Sequence, residues 1–361
     1  MSQKIHNVIL LSCLVWLMIW LSSKLPKIEI PAEPVALGNQ INIENTQLKI
    51  VFQDSKDAYW FGSTSNGVFR YTNDTIIHFT THDGLVSNRI SSLQEDTKGN
   101  IYIETSEGIQ KYDGNKLSTI EVLAASESTW ELNETDLWFN CNGSVLYRYD
   151  GKVLHELQLP TKDLQAFGMS YSGNTPQNAT NRAYDVYGIN KDSEGAIWFG
   201  TNTAGAYRYD GSNFLWFGEK ELSTLTDGRE PGVRAILEDK NGYFWLSNLY
   251  HIYQIDSKEV PKGYTKHAMV KLPQELANND LLYFNGGLRD TDGNLWMICY
   301  DDGLYKYDGI KLTKQTINTE NKPLLLVTIY KDNSGTIWLG TQHNGLYKQT
   351  GNSFEKFELT Q

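Results

Sequence analysis

Two kinds of hydrophobic pattern divide the chain. Near the N-terminus, Lys4 precedes one unbroken mostly apolar run from Val8 to Leu21, closed by Ser22 and Ser23. From residue 47 onward the apolar residues fall instead into short runs bounded by Gly, Asn, Asp and Ser, the pattern of strands and tight turns. In the last stretch these runs are Leu325–Tyr330, Thr336–Gly340, Gly345–Lys348 and Ser353–Phe357, separated by Asp332-Asn-Ser-Gly335, Gln342-His-Asn and Thr350-Gly351-Asn. Four short strands joined by turns are expected there.

The same four-strand unit recurs. Its marker is Asp-x-x-Gly-x-x-Trp, clearest at Asp192–Trp198, Asp239–Trp245, Asp290–Trp296 and Asp332–Trp338. Weaker copies are Asp54–Trp60, without the Gly, Asp96–Tyr102, with Tyr in the Trp slot, and Asn133–Trp138, one residue short. The aromatic slot falls at 60, 102, 138, 198, 245, 296 and 338, which makes seven units. Repeats of roughly 40 to 50 residues built from short strands are what propeller blades need. An Asp carboxylate can accept N–H bonds across a tight turn, and Gly takes the positive φ that a Cβ resists. The Trp is expected to bury its flat face between neighbouring blades, and Tyr-x-Tyr-Asp-Gly, as at Tyr207–Gly211 and Tyr305–Gly309, to make a strand and hairpin turn. The fold expected over 47–361 is therefore all-β: a seven-bladed β-propeller of four-stranded antiparallel blades. The first and last units each carry all four strands, so ring closure is expected without strand exchange, unless Ile41–Ile43 adds an outer strand.

The N-terminal run, as a hydrophobic helix, reads as an export signal: residues 1–23 are a cleaved signal peptide or a retained membrane anchor. Leu10-Leu11-Ser12-Cys13 resembles a lipoprotein processing site, but the region before it is short and the residues after it stay apolar. Residues 24–46, with Pro26, Pro31 and Pro34, read as a semi-extended spacer. The body is then expected on the periplasmic or cell-surface side, secreted or tethered through residues 8–23, its only membrane contact. Cys13, Cys141 and Cys299 show no paired spacing, so free thiols on strands are expected rather than a disulfide framework. The ten Trp and 21 Tyr fit a recurring packing position. A net charge of −11 with no basic stripe argues against a nucleic-acid partner.

The string Trp198-Phe-Gly-Thr201, followed by Gly205-Ala-Tyr207-Arg-Tyr209-Asp-Gly211, and the segment His82–Asp96 together closely resemble the two-component regulator propeller repeat, over residues 48 to 357. That resemblance implies an extracytoplasmic sensor region of a bacterial signalling protein, often a hybrid histidine kinase that responds to polysaccharide fragments. No kinase, sandwich-like module or DNA-binding region follows Gln361 in this sequence, so signalling is expected to run through a separate envelope protein.

Candidate chemistry is sparse. Asp290-Thr-Asp292-Gly293-Asn294 begins like a calcium loop but lacks the spaced ligands and closing Glu, and its sister repeats carry Lys, Ser or Asn, so a structural turn is the reading. The seven His form no metal-ligand spacing, no nucleophile elbow or phosphate loop occurs, and Asp301-Asp302 reads as a solvated turn. No metal, cofactor or catalytic residue is assigned. A propeller enzyme, streptogramin-lyase-like or glycan-active as sialidases are, is the alternative, without a catalytic set that maps onto this chain. The favoured function is a binding module for a carbohydrate fragment, another small molecule or an envelope protein, with a docking scaffold as its blander form. Its site is expected on the face that gathers the blade-to-blade and second-to-third-strand connections. Two long insertions there, Pro160–Ala183, with Phe167, Met169 and Tyr171, and Ser257–Asp280, with Pro261, Tyr264, Lys266 and His267, break the repeat. Residues entering the innermost strands, Arg89, Tyr184, Asp185, Arg234, Tyr283 and Asn285, together with loop residue His343, are the candidate ligand-binding set.

Overall fold

The computed structural model describes residues 48–357 apart from 74, 125–129, 142–144, 170–181, 226–227, 250, 256–262, 269–282, 300–301 and 319–323. The N-terminal apolar run, the spacer, Ile41–Ile43, Tyr171 and Pro261 lie outside the described residues. Among the described residues no helix is long and apolar enough to cross a membrane.

Seven four-stranded sheets form the body. In six of them the strands follow chain order from inside to outside. Blade 1 comprises Leu48–Gln53, Tyr59–Ser63, Val68–Thr72 and Thr75–Phe79; blade 2 comprises Ile90–Glu95, Ile101–Thr105, Gly108–Tyr112 and Leu117–Thr119. Blade 4 comprises Val186–Lys191, Ile197–Thr201, Ala206–Tyr209 and Phe214–Phe217; blade 5 comprises Ile236–Glu238, Phe244–Leu246, His251–Ile255 and Tyr264–Ala268. Blade 6 comprises Gly286–Arg289, Leu295–Cys299, Gly303–Tyr307 and Leu312–Gln315; blade 7 comprises Leu326–Lys331, Ile337–Thr341, Leu346–Thr350 and Ser353–Phe357.

The repeated Asp does two jobs. In blade 4, Asp192 Oδ1 accepts the backbone N–H groups of Glu194 (3.0 Å) and Ala196 (2.9 Å), which closes the turn, while Oδ2 accepts Trp198 Nε1–H at 2.9 Å. The indole donor is thereby satisfied inside the protein and the ring is held in one orientation. The same indole bond runs from Trp60 to Asp54 (2.9 Å), Trp245 to Asp239 (3.2 Å), Trp296 to Asp290 (2.8 Å) and Trp338 to Asp332 (2.9 Å). In blade 2 the Tyr102 hydroxyl replaces it, donating to Asp96 Oδ2 at 3.0 Å. The anchored rings pack across blade boundaries: Trp60 lies 5.6 Å from Tyr112, Trp198 4.5 Å from Phe244 and Trp245 4.9 Å from Tyr307, ring centre to ring centre. Each blade thus buries its flat face against the next, as the repeat predicts.

The glycine two residues after the Trp has a spatial reason. A Cβ on Gly62 would lie 2.8 Å from Ile90 Cγ2, on Gly200 2.3 Å from the Val233 carbonyl oxygen and on Gly340 2.5 Å from the Lys49 carbonyl oxygen. The chain entering the next blade's inner strand passes directly over this position.

Blade 3 departs from the expected pattern. Its Trp-bearing strand, Leu137–Phe139, is the innermost of its sheet, followed by Leu146–Tyr149 and Leu154–Leu157, and the outermost place is taken by Val122–Leu123 in parallel pairing. Among the described residues this blade has no strand inside the Trp strand. Its motif is shortened as well: Asn133 replaces the Asp, and Trp138 Nε1 finds no partner among the described residues. A second correction concerns blade 5. Tyr264, Lys266 and His267, expected in an inter-blade loop, form its outer strand, paired with His251–Ile255. The stretch Tyr253-Gln-Ile-Asp-Ser lacks the Asp-Gly hairpin signature of its sister units, which hides that strand in the sequence, whereas Tyr264 stacks on Phe217 of blade 4 at 4.2 Å.

Blades 1 and 7 are each built from four consecutive strands, so no strand is exchanged between them among the described residues. Side chains close the ring. Tyr59 OH donates to Asp332 Oδ2 (2.9 Å), Gln53 N to Tyr330 OH (2.9 Å) and Asn333 Nδ2 to Asp54 O (3.1 Å), while Trp338 packs 5.4 Å from Tyr59. Both body cysteines are free thiols. Replacing Asp332 by Ala removes the turn acceptor, the indole partner and a closure contact at once. We expect this variant to lose roughly 2–4 kcal/mol in urea unfolding, whereas Asp292→Ala in the exposed part of a sister turn should stay within about 0.5 kcal/mol of wild type.

Candidate functional site

In every blade but the third the inner strand begins on the face where the blade-to-blade and second-to-third-strand connections lie, so that face carries the mouth of the central channel. Backbone bonds tie the two sets of connections together there. The residue that opens a second-to-third-strand loop donates to the carbonyl just before the same blade's inner strand: Ser106 N to Arg89 O (3.2 Å), Asn202 N to Asp185 O (2.9 Å) and Gln342 N to Leu325 O (2.9 Å). Just inside this ring, four inner strands slip register at the same point, between Leu48 and Ile50, Ile90 and Ser92, Val186 and Gly188, and Leu326 and Thr328. A bulge re-aims the extra side chain and locally increases twist. The residues so placed are Lys49, Ser91, Tyr187 and Val327.

Of the sequence-predicted residues, Arg234 and Tyr283 come together. The Arg234 guanidinium lies 4.4 Å from the centre of the Tyr187 ring, a cation–π distance, and Nε donates to Pro231 O at 2.9 Å. Its own backbone N–H donates to Ser247 Oγ (2.8 Å). Tyr283 OH donates to Gly232 O on the same segment, and burial raises its phenol above the ordinary range despite the nearby Arg234 charge, so it remains a neutral donor. Tyr187, which completes this group, is not in the sequence-predicted set. Arg89 stands exposed on the rim of blade 2, its N–H donating to Ser87 Oγ at 3.2 Å.

The others are dispersed. Tyr184 is buried in the core between blades 3 and 4, its hydroxyl accepting from Lys162 N (2.7 Å) and donating to Lys162 O (3.1 Å), so it pins the start of the insertion rather than facing the mouth. Asp185 sits on the rim with Arg182 Nε 3.7 Å away; burial raises its carboxyl in spite of that cation. Asn285 opens blade 6 and donates Nδ2–H to Leu326 O at 3.3 Å, while its buried Oδ1 has no partner among the described residues. His343 is exposed in the loop between the second and third strands of blade 7. Phe167 packs edge-on to Trp216 at 4.7 Å, towards the outside of blade 4.

A residue that the repeat conceals fills the gap in blade 3. Where blades 1, 4 and 7 carry the close-approach glycine, blade 2 carries Glu104. No strand of blade 3 crosses it among the described residues. The buried carboxylate instead accepts Asn140 N (3.3 Å) and Cys141 N (2.6 Å), Gln94 Nε2 donates to Trp138 O (2.8 Å), and Asn140 Nδ2 reaches Val186 O of blade 4 (2.8 Å). Burial raises the Glu104 carboxyl above its ordinary value, against the hydrogen bonds that favour its charged form. Burial, and then Glu104, pushes the Cys141 thiol up to about 12, so it stays protonated. The signal for Glu104 was available in the sequence, as Tyr102-Ile-Glu-Thr105 aligned with Trp198-Phe-Gly-Thr201; the bulges that select Lys49 and Tyr187 carry no such signal.

Among the described residues no group of His, Cys, Asp and Glu is arranged to hold a metal ion. The carboxylate of Asp290 is occupied by its own turn, accepting Asp292 N, Asn294 N and Nδ2, and Trp296 Nε1. His155 lies 2.8 Å from Asp150 in a hairpin between third and outer strands, on the face away from the mouth. At the mouth itself stand the Arg234 guanidinium, the Lys49 ammonium and the phenols of Tyr187 and Tyr283, the last with its O–H given to Gly232 O.

No protein-family model matches the chain, and no curated protein sequence matches it. In structure it is similar to the extracellular domain assigned to a one component system of B. thetaiotaomicron, with 21% identity and a TM-score of 0.52, covering 88% of this chain and 39% of that one. A second such extracellular domain, assigned to a hybrid two component system of the same organism, gives 17% identity and a TM-score of 0.52, covering 88% of this chain and 40% of that one. Virginiamycin B lyase from Staphylococcus aureus gives 14% identity and a TM-score of 0.54, covering 88% of this chain and 97% of the lyase. The chain thus spans well under half the length of the two extracellular domains. The likeness is one of fold: the protein is a seven-bladed propeller of the architecture those domains and the lyase share.

The raised Glu104 carboxyl makes a pH-dependent prediction. A carboxyl whose folded value is raised contributes stability that is complete below its unfolded value and is lost as pH rises through the folded value. Glu104→Gln, which keeps an acceptor for Asn140 and Cys141 without the charge, should match wild type in melting temperature at acid pH and exceed it increasingly as the pH is raised. A constant difference between the two across the titration would show that Glu104 ionises without penalty.

Proposed function

We propose that the protein is an extracytoplasmic, ligand-binding sensor propeller that takes its ligand at the channel mouth. The observation that carries this reading is the grouping of Arg234, Tyr187 and Tyr283 on the mouth, a guanidinium over an aromatic ring beside a buried neutral phenol. The terminal N–H groups of the Arg234 guanidinium provide directional donors and the Tyr187 ring a flat apolar surface, which suits a carbohydrate fragment. The rim is pre-organised by backbone bonds between loops, so binding need not order it. The fold shared with bacterial extracellular domains of signalling systems supports the sensor role. The apolar run Val8–Leu21 supports export, as signal or anchor.

A glycan array followed by titration calorimetry tests the reading. Arg234→Ala should weaken binding of a captured oligosaccharide at least tenfold, about 1.4 kcal/mol, and Tyr187→Ala by a similar factor, with melting temperatures close to that of wild type. Unchanged affinity in both variants would remove the mouth as the binding site.

A further inference from the structure

We infer that the saccharide recognised at this mouth is acidic, its carboxylate or sulfate group held between Lys49 of blade 1 and Arg89 of blade 2. This rests on the proposed role of the mouth as a binding surface and names the ligand class that it takes.

Several cations elsewhere on the molecule are paired with carboxylates. Arg208 pairs with Asp192 (2.7 Å) and Glu194 (2.6 Å), Arg148 with Asp136 (3.4 Å), Lys266 with Glu219 (2.7 Å), Lys306 with Asp290 (3.7 Å) and Lys314 with Asp302 (3.0 Å). With 43 acidic against 32 basic residues, counter-ions are abundant. Half-buried Lys49 and exposed Arg89 form no ion pair with a carboxylate among the described residues, and the charge that acts on the Lys49 ammonium is that of Arg89.

Their positions are built rather than incidental. Lys49 is the bulge residue of the inner strand, half-buried, with its carbonyl lodged over Gly340 of blade 7. Arg89 is the last residue before the neighbouring inner strand, its carbonyl fixed by Ser106 N at 3.2 Å. Ile50 and Ile90, the residues that follow them, close on one point, since a Cβ on Gly62 would lie 3.0 Å from Ile50 Cβ and 3.1 Å from Ile90 Cβ, which places Lys49 and Arg89 on one stretch of rim. Burial, and then the Arg89 charge, holds the Lys49 ammonium below its ordinary value. Two like charges brought together repel each other, and an anion between them reverses the sign of the interaction. Arginine offers a planar fork that meets carboxylate or sulfate oxygens in pairs, and lysine adds a point charge. Arg234, elsewhere on the rim, also lacks a carboxylate partner among the described residues and leaves room for a second polar contact with the sugar.

The test uses the folded protein with its lysines carrying ¹³C-methyl groups, the Lys49 resonance being identified by its loss in Lys49→Arg. Inorganic sulfate, galacturonate trimer, galactose 6-sulfate and neutral galactotriose are the probes. Sulfate and both acidic sugars should move the Lys49 titration to higher pH, and the acidic sugars should bind at least tenfold more tightly than the neutral trimer, with affinity falling as salt is raised. A response to one acidic sugar alone identifies the carboxylate or the sulfate as the group recognised. Arg89→Gln should abolish the preference for acidic sugars while Arg89→Lys retains part of it, both at wild-type melting temperature. Equal binding of acidic and neutral sugars, or acidic binding indifferent to Arg89→Gln, would overturn the anion site and leave the mouth reading intact. A Lys49 titration unmoved by sulfate and by both acidic sugars would also overturn it. Loss of the mouth reading shows separately, as oligosaccharide binding that survives Arg234→Ala and Tyr187→Ala.

Discussion

One contact organises this structure: the hydrogen bond from a buried indole N–H to the aspartate six residues earlier. The carboxylate that closes the turn with one oxygen fixes the ring with the other, so a local turn and a long-range packing surface are set by a single side chain. A buried Trp with an unsatisfied donor would cost free energy, and a Trp free to rotate would not present one face to the next blade. Anchored, it presents that face, and the cores that follow lie between blades. The cluster of Leu237 and Trp245 with Leu295, Met297 and Tyr307 is one example. Because each interface is made this way, the ring can be closed by side chains such as Tyr59, Tyr330 and Asn333 without an exchanged strand.

Blade 3 shows what happens where that contact is lost. Its Trp138 Nε1 has no partner among the described residues, the described part of its sheet starts at the Trp strand, and Glu104, Gln94 and Asn140 tie it to blades 2 and 4. Polar side chains there supply the hydrogen bonds that a strand would otherwise have made, since the exposed backbone groups of Trp138, Asn140 and Cys141 need partners once buried. The cost is a carboxylate away from water, whose ionisation burial opposes.

The mouth follows from the same geometry. Inner strands that pass close over a glycine on a neighbouring blade enter the channel at a fixed depth, and bulges at that level turn Lys49 and Tyr187 onto the rim. The repeated letters are therefore scaffold, and the rim is lined by residues that differ from one unit to the next. Arg89, Arg234 and Tyr187 belong to that group; Tyr184, equally variable in sequence, is taken by the core.

The sequence by itself determined the number of blades, the place of the Asp-Gly turns and the burial of the Trp slot, because a turn and a two-residue strand period are local and repeat with the letters. It also placed Arg89, Asp185 and Asn285 immediately before inner strands, since strand starts are set by the same local pattern. Only the tertiary structure decided that Val122–Leu123 joins blade 3 as a parallel outer strand, that Tyr264–Ala268 is an outer strand, and that Lys49 and Arg89 share one stretch of rim. These depend on register, bulges and contacts between residues of different blades. A one-residue slip redirects a side chain while leaving the pattern of apolar and polar letters unchanged.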